Sequence, residues 1–356
     1  MKVWIDILTP KQANFSAELQ RRLNGRAFKT LLTTREYREV NELLQLRGVK
    51  ALAVGRHGGG QLKDKLEQSA ERIIGLTKIV DDAKPDLAIS FSSPEAARVA
   101  FGLGIPHYTV CDSPHAEAVC RLTIPLSQKL FTPWVIPMYA WKRYGIQARD
   151  VVRYRALDPY VWLNGYRNDP KAVKDLGIDT IRPVVVVRPP EELASYLSDR
   201  AASVSGTTTA IIEKVLELDK SNELQVVVLP RYDSRAEKFR KRFGNRVIVP
   251  EHVIDSISLM QVSAVFLGGG GTMTAESALL GLPVISYFPG EQTFVERFLI
   301  KCGLVERLLD PGRIAQRAVS IAASQDLREF YKRRSARLLR GMVDPLRVII
   351  QRIFKS

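Results

Sequence analysis

Short runs rich in β-branched and aromatic residues recur along the chain, separated by stretches whose apolar positions return every three or four residues. Residues 3–8, 28–33, 51–54, 86–91, 108–111 and 151–154 read as strands, and 37–45, 62–79 and 94–101 read as helices between them. The start of the last helix is written in Ser92-Ser93-Pro94-Glu95: a serine to cap, a proline for the first turn, and an acid at the positive helix end. Strands alternating with helices in this way form βαβ units around a parallel sheet.

The pattern breaks over residues 158–170, where Pro, Asn, Gly and Asp cluster among aromatic residues, and it resumes at 183–187. Further strands are expected at 225–229, 247–249, 264–267 and 284–287. The expectation is α/β, with two Rossmann-like domains, one over 1–165 and one over 166–327, parallel sheets facing across a cleft. Ligands of such sheets sit at the carboxyl ends of the strands, so the loops after strands are the places to search. Residues 328–356 differ: basic residues dominate, and Pro345 divides two expected helices that pack back across the domains.

Composition narrows the class. The chain has 356 residues, 46% of them apolar, which suits two globular domains. Its apolar runs are strand-sized, well short of the ~20 residues that cross a bilayer. The N-terminal Met1-Lys2-Val3-Trp4-Ile5-Asp6 carries an acid within its apolar run and reads as a first strand, which points to a cytoplasmic protein. Cys111, Cys120 and Cys302 lack metal-ligand or disulfide spacing, and no paired carboxylates of DxD type stand out, so no metal or cofactor is expected. Lys and Arg outnumber Asp and Glu by 53 to 38, a formal charge of +15, which favours anionic partners or simply a basic solvated surface. In the last helix, Leu346, Val348, Ile349, Ile350, Ile353 and Phe354 alternate with Arg347, Arg352 and Lys355, the composition of a helix lying on an anionic membrane surface. A peripheral contact with the inner membrane surface is therefore carried as an expectation beside plain intramolecular docking.

The strongest chemical signal is Gly268-Gly269-Gly270-Gly271-Thr272-Met273-Thr274, which joins a strand to a helix. Glycines let a ligand approach the backbone, and the unpaired N–H groups of the helix start, with the helix dipole, attract a diphosphate. Thr272 and Thr274 add hydroxyls. Glu276 has a Cα–Cβ bond tilted back toward the helix start, placing its carboxylate to accept from a ribose diol. A tight strand-to-helix turn needs one or two glycines, so four are read as a binding feature. The spacing matches neither GxxxxGK[ST] nor a first-strand GxGxxG.

Other strand ends supply charged groups. Arg188 and Arg231 each follow a strand and are candidates to clamp phosphate oxygens. For acid/base chemistry the first domain offers His115, with Asp112 as its partner or alternative, and His57 in the Arg56-His57-Gly58-Gly59-Gly60 loop.

The stretch GGGGTMTAESALLGLPVIS from Gly268 to Ser286 resembles the nucleotide-binding segment of GT-B-fold proteins, among them the MurG-type N-acetylglucosaminyltransferases and the non-hydrolysing UDP-N-acetylglucosamine 2-epimerases. The resemblance implies diphosphate contacts from Gly269, Gly270, Gly271 and Thr272 and a ribose contact from Glu276. It implies hexose contacts from Glu291 and Gln292, and base contacts from the loop holding His252 and Val253. From KVWIDILTPKQANF through SPEAARVAFGLGIP and DSPHA to GGGGTMTAES, the whole chain resembles an archaeal GT-B-like family of undefined activity. Residues 9–15 carry neither the Gly-rich, His-bearing loop of the MurG type nor the Arg-Pro-Glu of the epimerases.

The expected function is a metal-independent glycosyltransferase. Its donor is a nucleotide-diphosphate sugar, UDP-linked and with UDP-N-acetylglucosamine as a candidate; its acceptor is unidentified, a lipid-linked or other anionic one fitting the charge. The alternatives are an epimerase or hydrolase of the same sugar nucleotide and, from another class, a basic RNA-binding protein on an α/β scaffold. The last lacks an RRM-type aromatic signature or zinc knuckles.

Overall fold

The structure is a computed structural model that describes residues 1–190 and 201–354; of residues 201–205 it describes the backbone alone. Among the described residues twelve strands form two sheets. The first holds β1 (Lys2–Asp6), β2 (Lys29–Glu36), β3 (Leu52–Arg56), β4 (Leu87–Ser90), β5 (His107–Val110), β6 (Lys129–Pro133) and β7 (Val151–Tyr154). The second holds β8 (Val184–Arg188), β9 (Gln225–Val228), β10 (Val265–Gly268), β11 (Val284–Ser286) and β12 (Val305–Arg307). Their orders are β3-β2-β1-β4-β5-β6-β7 and β12-β11-β10-β8-β9. Every pairing is parallel, which puts all the loops after strands along one edge of each sheet. The two parallel-sheet α/β units of the expected fold class are present.

Two compact units divide the chain: Met1–Trp162 with Val343–Ser356, and Leu163–Met342. The chain leaves the first unit once and returns to it for its last helix, Pro345–Phe354. There Leu346, Ile349, Ile350 and Ile353 are buried, and the Phe354 ring stacks on Phe28 with centroids 4.6 Å apart. The apolar face that suggested a membrane surface is thus consumed by packing within the first unit, which removes the basis of that expectation. Among the described residues no helix is long and apolar enough to cross a membrane.

The first sheet is pinned by one buried acid. Asp6, at the end of β1, takes a bidentate ion pair from Arg72 at 2.6 and 3.0 Å and hydrogen bonds from Thr33 at 2.5 Å and Ser93 at 2.6 Å. Burial raises the Asp6 carboxyl, but these partners outweigh it and hold the pKa below its ordinary value. Ser93 also caps helix Pro94–Gly102, accepting from Ala96 N at 3.1 Å, as the Ser-Ser-Pro-Glu start predicts.

Three strands differ from the expectation. β6 sets only Leu130 and Phe131 between Lys129 and Thr132-Pro133, and β12 is three residues with a single apolar one, so the hydrophobic pattern passes over both. The strand expected at 247–249 is reduced to a single bridge, Val227 to Ile248.

Candidate functional site

In the second unit, β10 is the central strand, and its last residue, Gly268, pairs with Arg188 of β8 and Ser286 of β11. The glycine turn therefore leaves from the middle of the sheet and opens directly into helix Thr272–Leu279. Each glycine has a backbone or packing reason. A Cβ on Gly268 would meet Phe266 at 2.6 Å, and one on Gly269 would meet Pro190 at 2.3 Å. Gly270 has φ of +91° and lies under the Phe288 ring. Gly271 combines φ of 88° with ψ of −165°, a region only glycine occupies readily. The number of glycines is thus set by the turn itself, which corrects the reading that four exceed structural need.

What the turn offers a ligand lies elsewhere. Gly269 N–H is taken by Arg188 O at 2.9 Å, but among the described residues no hydrogen bond is recorded for the N–H groups of Gly270, Gly271, Thr272 and Met273. These four donors in sequence lie at a helix start, the arrangement that receives an anion. The space a Cβ of Gly271 would take is open to 4 Å. Thr272 and Met273 are half-buried, whereas Thr274 is buried and its Oγ1 has no partner among the described residues. A Cβ on Gly268 would lie 2.7 Å from that oxygen, so the Thr274 hydroxyl faces the strand end and Thr272 carries the accessible one. Glu276, in the second turn, is also buried.

Phe288 joins two stretches that the sequence keeps twenty residues apart. Its ring lies against both Gly270 and Gly290, where Cβ atoms would approach it to 2.9 and 2.7 Å. Arg307 Nη2 donates to Phe288 O and Gly290 O, both at 3.1 Å, and fixes the loop. Exposed Glu291 and half-buried Gln292 are thereby set beside the glycine turn. Arg188 is committed differently from the expected phosphate clamp: its Nη1 donates to Leu229 O at 2.9 Å and Pro230 O at 3.4 Å, tying the ends of β8 and β9. Half-buried Arg231 lies just beyond, and exposed His252 and half-buried Val253 lie in the loop before helix Ser256–Val262. Asp255 is the residue at that helix start, but its carboxylate accepts from Tyr166 and Ser258 and makes no capping bond.

In the first unit the edge after the strands gathers a cluster that sequence reasoning met only in part. Lys11 Nζ bridges Asp112 and Asp158, the latter at 2.7 Å, and lies 4.4 Å from the centre of the Phe91 ring. Gln12 holds the loop in place, accepting from Leu8 N at 2.5 Å and donating to Phe91 O at 2.8 Å. Ser113 donates to Asp112 at 2.8 Å, and the Tyr154 hydroxyl donates to Asp158. Burial raises the Asp112 carboxyl, but the Lys11 ammonium and hydrogen bonds outweigh it and hold its pKa low. Asp158 is pushed by burial and by the neighbouring Asp112 charge up to about 6, against Lys11 and Tyr154. Environments that drive two adjacent carboxyls apart in pKa are a mark of acid/base sites. Lys11 and Asp112 keep 14% and 19% of their side chains exposed, while Asp158 keeps none, so Asp112 is the carboxylate a substrate can touch.

His115 is exposed on the same loop; desolvation lowers its pKa, Lys11 and Arg143 add to this, and Asp112 opposes. His57 is set apart from this group. It follows β3, four strand positions from β5, roughly 19 Å at the usual strand spacing. There it stacks on Tyr37 at 5.0 Å and its Nδ1 accepts from Gly59 N at 3.0 Å. Among the described residues no group of three or more His, Cys, Asp and Glu side chains is gathered as a metal site.

A family model described as "Protein of unknown function (DUF354)" matches residues 1–356. The uncharacterized protein MJ0665 of Methanocaldococcus jannaschii is 33% identical over 307 residues, which are 85% of this chain and 86% of that protein. Among solved structures, the UDP-GlcNAc 2-epimerase of Neisseria meningitidis bound to UDP-GlcNAc superposes with a TM-score of 0.75 at 19% identity, covering 100% of both chains. The UDP-GlcNAc 2-epimerase of Methanocaldococcus jannaschii gives 0.69 at 15% identity, again over 100% of each chain. The spinosyn forosaminyltransferase SpnP gives 0.63 at 13% identity, covering 99% of this chain and 98% of its own. Epimerases and a glycosyltransferase share the fold.

Proposed function

Since the chain belongs to the DUF354 family and has the GT-B fold, we propose that it is an enzyme acting on a nucleotide-diphosphate sugar, a UDP sugar foremost. The observation that carries this reading is the row of four N–H groups at Gly270–Met273, with open space before Gly271 and the Glu291–Gln292 loop held alongside by Phe288. The diphosphate sits on those donors and on the Thr272 hydroxyl. Glu276 accepts from the ribose diol, Glu291 and Gln292 meet the sugar hydroxyls, and the loop of His252 and Val253 reads the base.

The reaction proposed first is glycosyl transfer. An acceptor hydroxyl attacks the anomeric carbon, and the bond from that carbon to the phosphate oxygen breaks. The nucleoside diphosphate leaves with the electron pair, its charge stabilised by the turn's N–H groups. The hydroxyl proton passes to Asp112, which Lys11 keeps ionised and in place. His115 is the alternative base on the same loop.

The fold shared with UDP-GlcNAc 2-epimerases, together with the Lys11–Asp112–Asp158 cluster, supports a second reading, an epimerase or hydrolase that needs no acceptor sugar or lipid. Incubation with UDP-N-acetylglucosamine alone separates the two: an altered or released sugar without acceptor supports the second reading, and unchanged donor that is nonetheless bound supports transfer. Salt-sensitive RNA binding that survives Glu276→Ala, with no nucleotide-sugar binding, would point instead to the RNA-binding alternative.

A further inference from the structure

Two arginines lie near Asp6 at the end of β1, and their surroundings differ. Arg72, from helix Leu62–Ala83, is fully engaged: Nε donates to Val54 O at 2.9 Å, and Nη1 and Nη2 donate to Asp6 at 3.0 and 2.6 Å. Burial alone would lower its pKa, but Asp6 and Glu95 outweigh burial and raise it. Arg35, two residues after Thr33 on β2, has no such partners. Among the described residues its one recorded hydrogen bond runs from Nη2 to Leu8 O at 3.3 Å, it enters no ion pair, and its Nε is buried without a partner. Burial lowers its pKa; the Arg72 charge adds to this, and Glu95, Asp6 and Tyr37 fall short of offsetting it. Both acids are engaged elsewhere, Asp6 with Arg72, Thr33 and Ser93, and Glu95 with Ser69 at 2.8 Å and Arg72 at 3.8 Å. A guanidinium carries five N–H donors, and a half-buried one with a single long hydrogen bond is a cation that the fold itself does not use.

Position supplies a use. Arg35 is next to last in β2, at the carboxyl edge where parallel sheets bind ligands, and its partial exposure leaves it within reach of one. A second cation stands close by: Arg56 ends the adjacent strand β3, in register with Glu36, and is exposed while its Nε donates to Gln68 at 3.1 Å. We propose that Arg35 binds an oxyanion, a phosphate or carboxylate group, at the carboxyl edge of the first sheet, and that this group belongs to the acceptor. The site follows from Arg35 itself; its assignment to an acceptor rests on the glycosyl-transfer reading. The planar guanidinium presents parallel N–H bonds to two oxygens of such a group, and partial burial strengthens the charge-assisted pair. The ligand thereby supplies the countercharge that the surrounding acids, already paired, do not.

Calorimetric titration of inorganic phosphate and of acetate into the full chain tests the site, at an ionic strength fixed with chloride and with and without excess UDP. The wild type should bind one of the two anions whether or not UDP is present. Arg35→Met, which keeps the aliphatic stem and removes the charge, should bind it at least about tenfold more weakly. Preference for phosphate assigns a phosphorylated acceptor, and preference for acetate a carboxylate. Stability gives a second readout: in chloride alone the melting temperature of Arg35→Met should equal or exceed that of the wild type, because the variant loses a desolvated cation that lacks a partner. A lowered melting temperature would make Arg35 a structural residue. That outcome, anion binding that Arg35→Met leaves unchanged or that UDP abolishes, or binding of neither anion overturns the proposal. Failure of UDP to bind, with anion binding still lost in Arg35→Met, would remove the nucleotide reading and the acceptor assignment while upholding the anion site.

Discussion

Replacing Gly269 with alanine sets a Cβ 2.3 Å from Pro190, between two strand ends that cannot separate. The expected cost is about 1–3 kcal/mol, read as a lowered melting temperature. Gly271→Ala strains the backbone by a similar amount, about 1–3 kcal/mol, but its Cβ enters the open space before the N–H row. Calorimetry on the folded protein should therefore find UDP affinity reduced more in Gly271→Ala than in Gly269→Ala; equal losses would put the diphosphate elsewhere. Asp158 supplies a test at the other unit's cluster. Its folded pKa of about 6 lies above the ordinary 3.8, so its contribution to stability is fully present below pH 3.8 and is lost as pH rises through 6. Relative to wild type, Asp158→Asn should remove that fall, seen as a stability difference that shrinks between pH 4 and 6; parallel curves contradict it. The glycine run was plain in the sequence, though the reason for each glycine was not, since Pro190 and Phe288 come near only through sheet pairing and loop folding. Asp158 lies in a Pro- and Asn-rich run that reads as a crossing between domains. Its partner Lys11 is 147 residues away, and no local pattern couples them.

At the level of elements, the end of β1 is where several segments lock together. Asp6 receives Arg72 from helix Leu62–Ala83, Thr33 from β2 and Ser93 from the start of helix Pro94–Gly102. Asp6→Asn removes the bidentate partner of buried Arg72 and leaves it only the Glu95 carboxylate at 3.8 Å, and urea unfolding should show a loss of about 3 kcal/mol. A loss below 1 kcal/mol would mean that water reaches Arg72. Long strands such as β8, all valine before its arginine, were legible because both faces of a parallel strand are buried and read as one apolar run. β12, Val-Glu-Arg, was not, because an edge strand of three residues needs few apolar positions. The charged groups at strand ends were legible by position alone. Arg188 shows the limit of that reading: a guanidinium at a strand end also satisfies neighbouring carbonyls, and only the strand order tells which role it takes.

For the whole molecule, the return of the chain to the first unit makes helix Pro345–Phe354 part of the N-terminal core. Ending the chain at Met342 uncovers the seats of Leu346, Ile349, Ile350 and Ile353, each worth about 1.5–3 kcal/mol of burial. Denaturant unfolding should show the first unit destabilised by several kcal/mol or aggregated; an unchanged profile would mean that the helix adds nothing to that core. Alternation of strand and helix made the two-sheet architecture readable in advance. The use of the last helix was not readable, because a basic amphipathic pattern describes a helix on a membrane and a helix on a protein equally well. Everything proposed for the second unit rests on the glycine turn seating a sugar nucleotide. Titration calorimetry of UDP and UDP-N-acetylglucosamine against the wild type and Glu276→Ala tests it most directly. The wild type should bind saturably and a variant that remains folded at least about tenfold more weakly; binding unaffected by the substitution, or no binding of any nucleotide sugar to the wild type, would place the nucleotide elsewhere or rule it out.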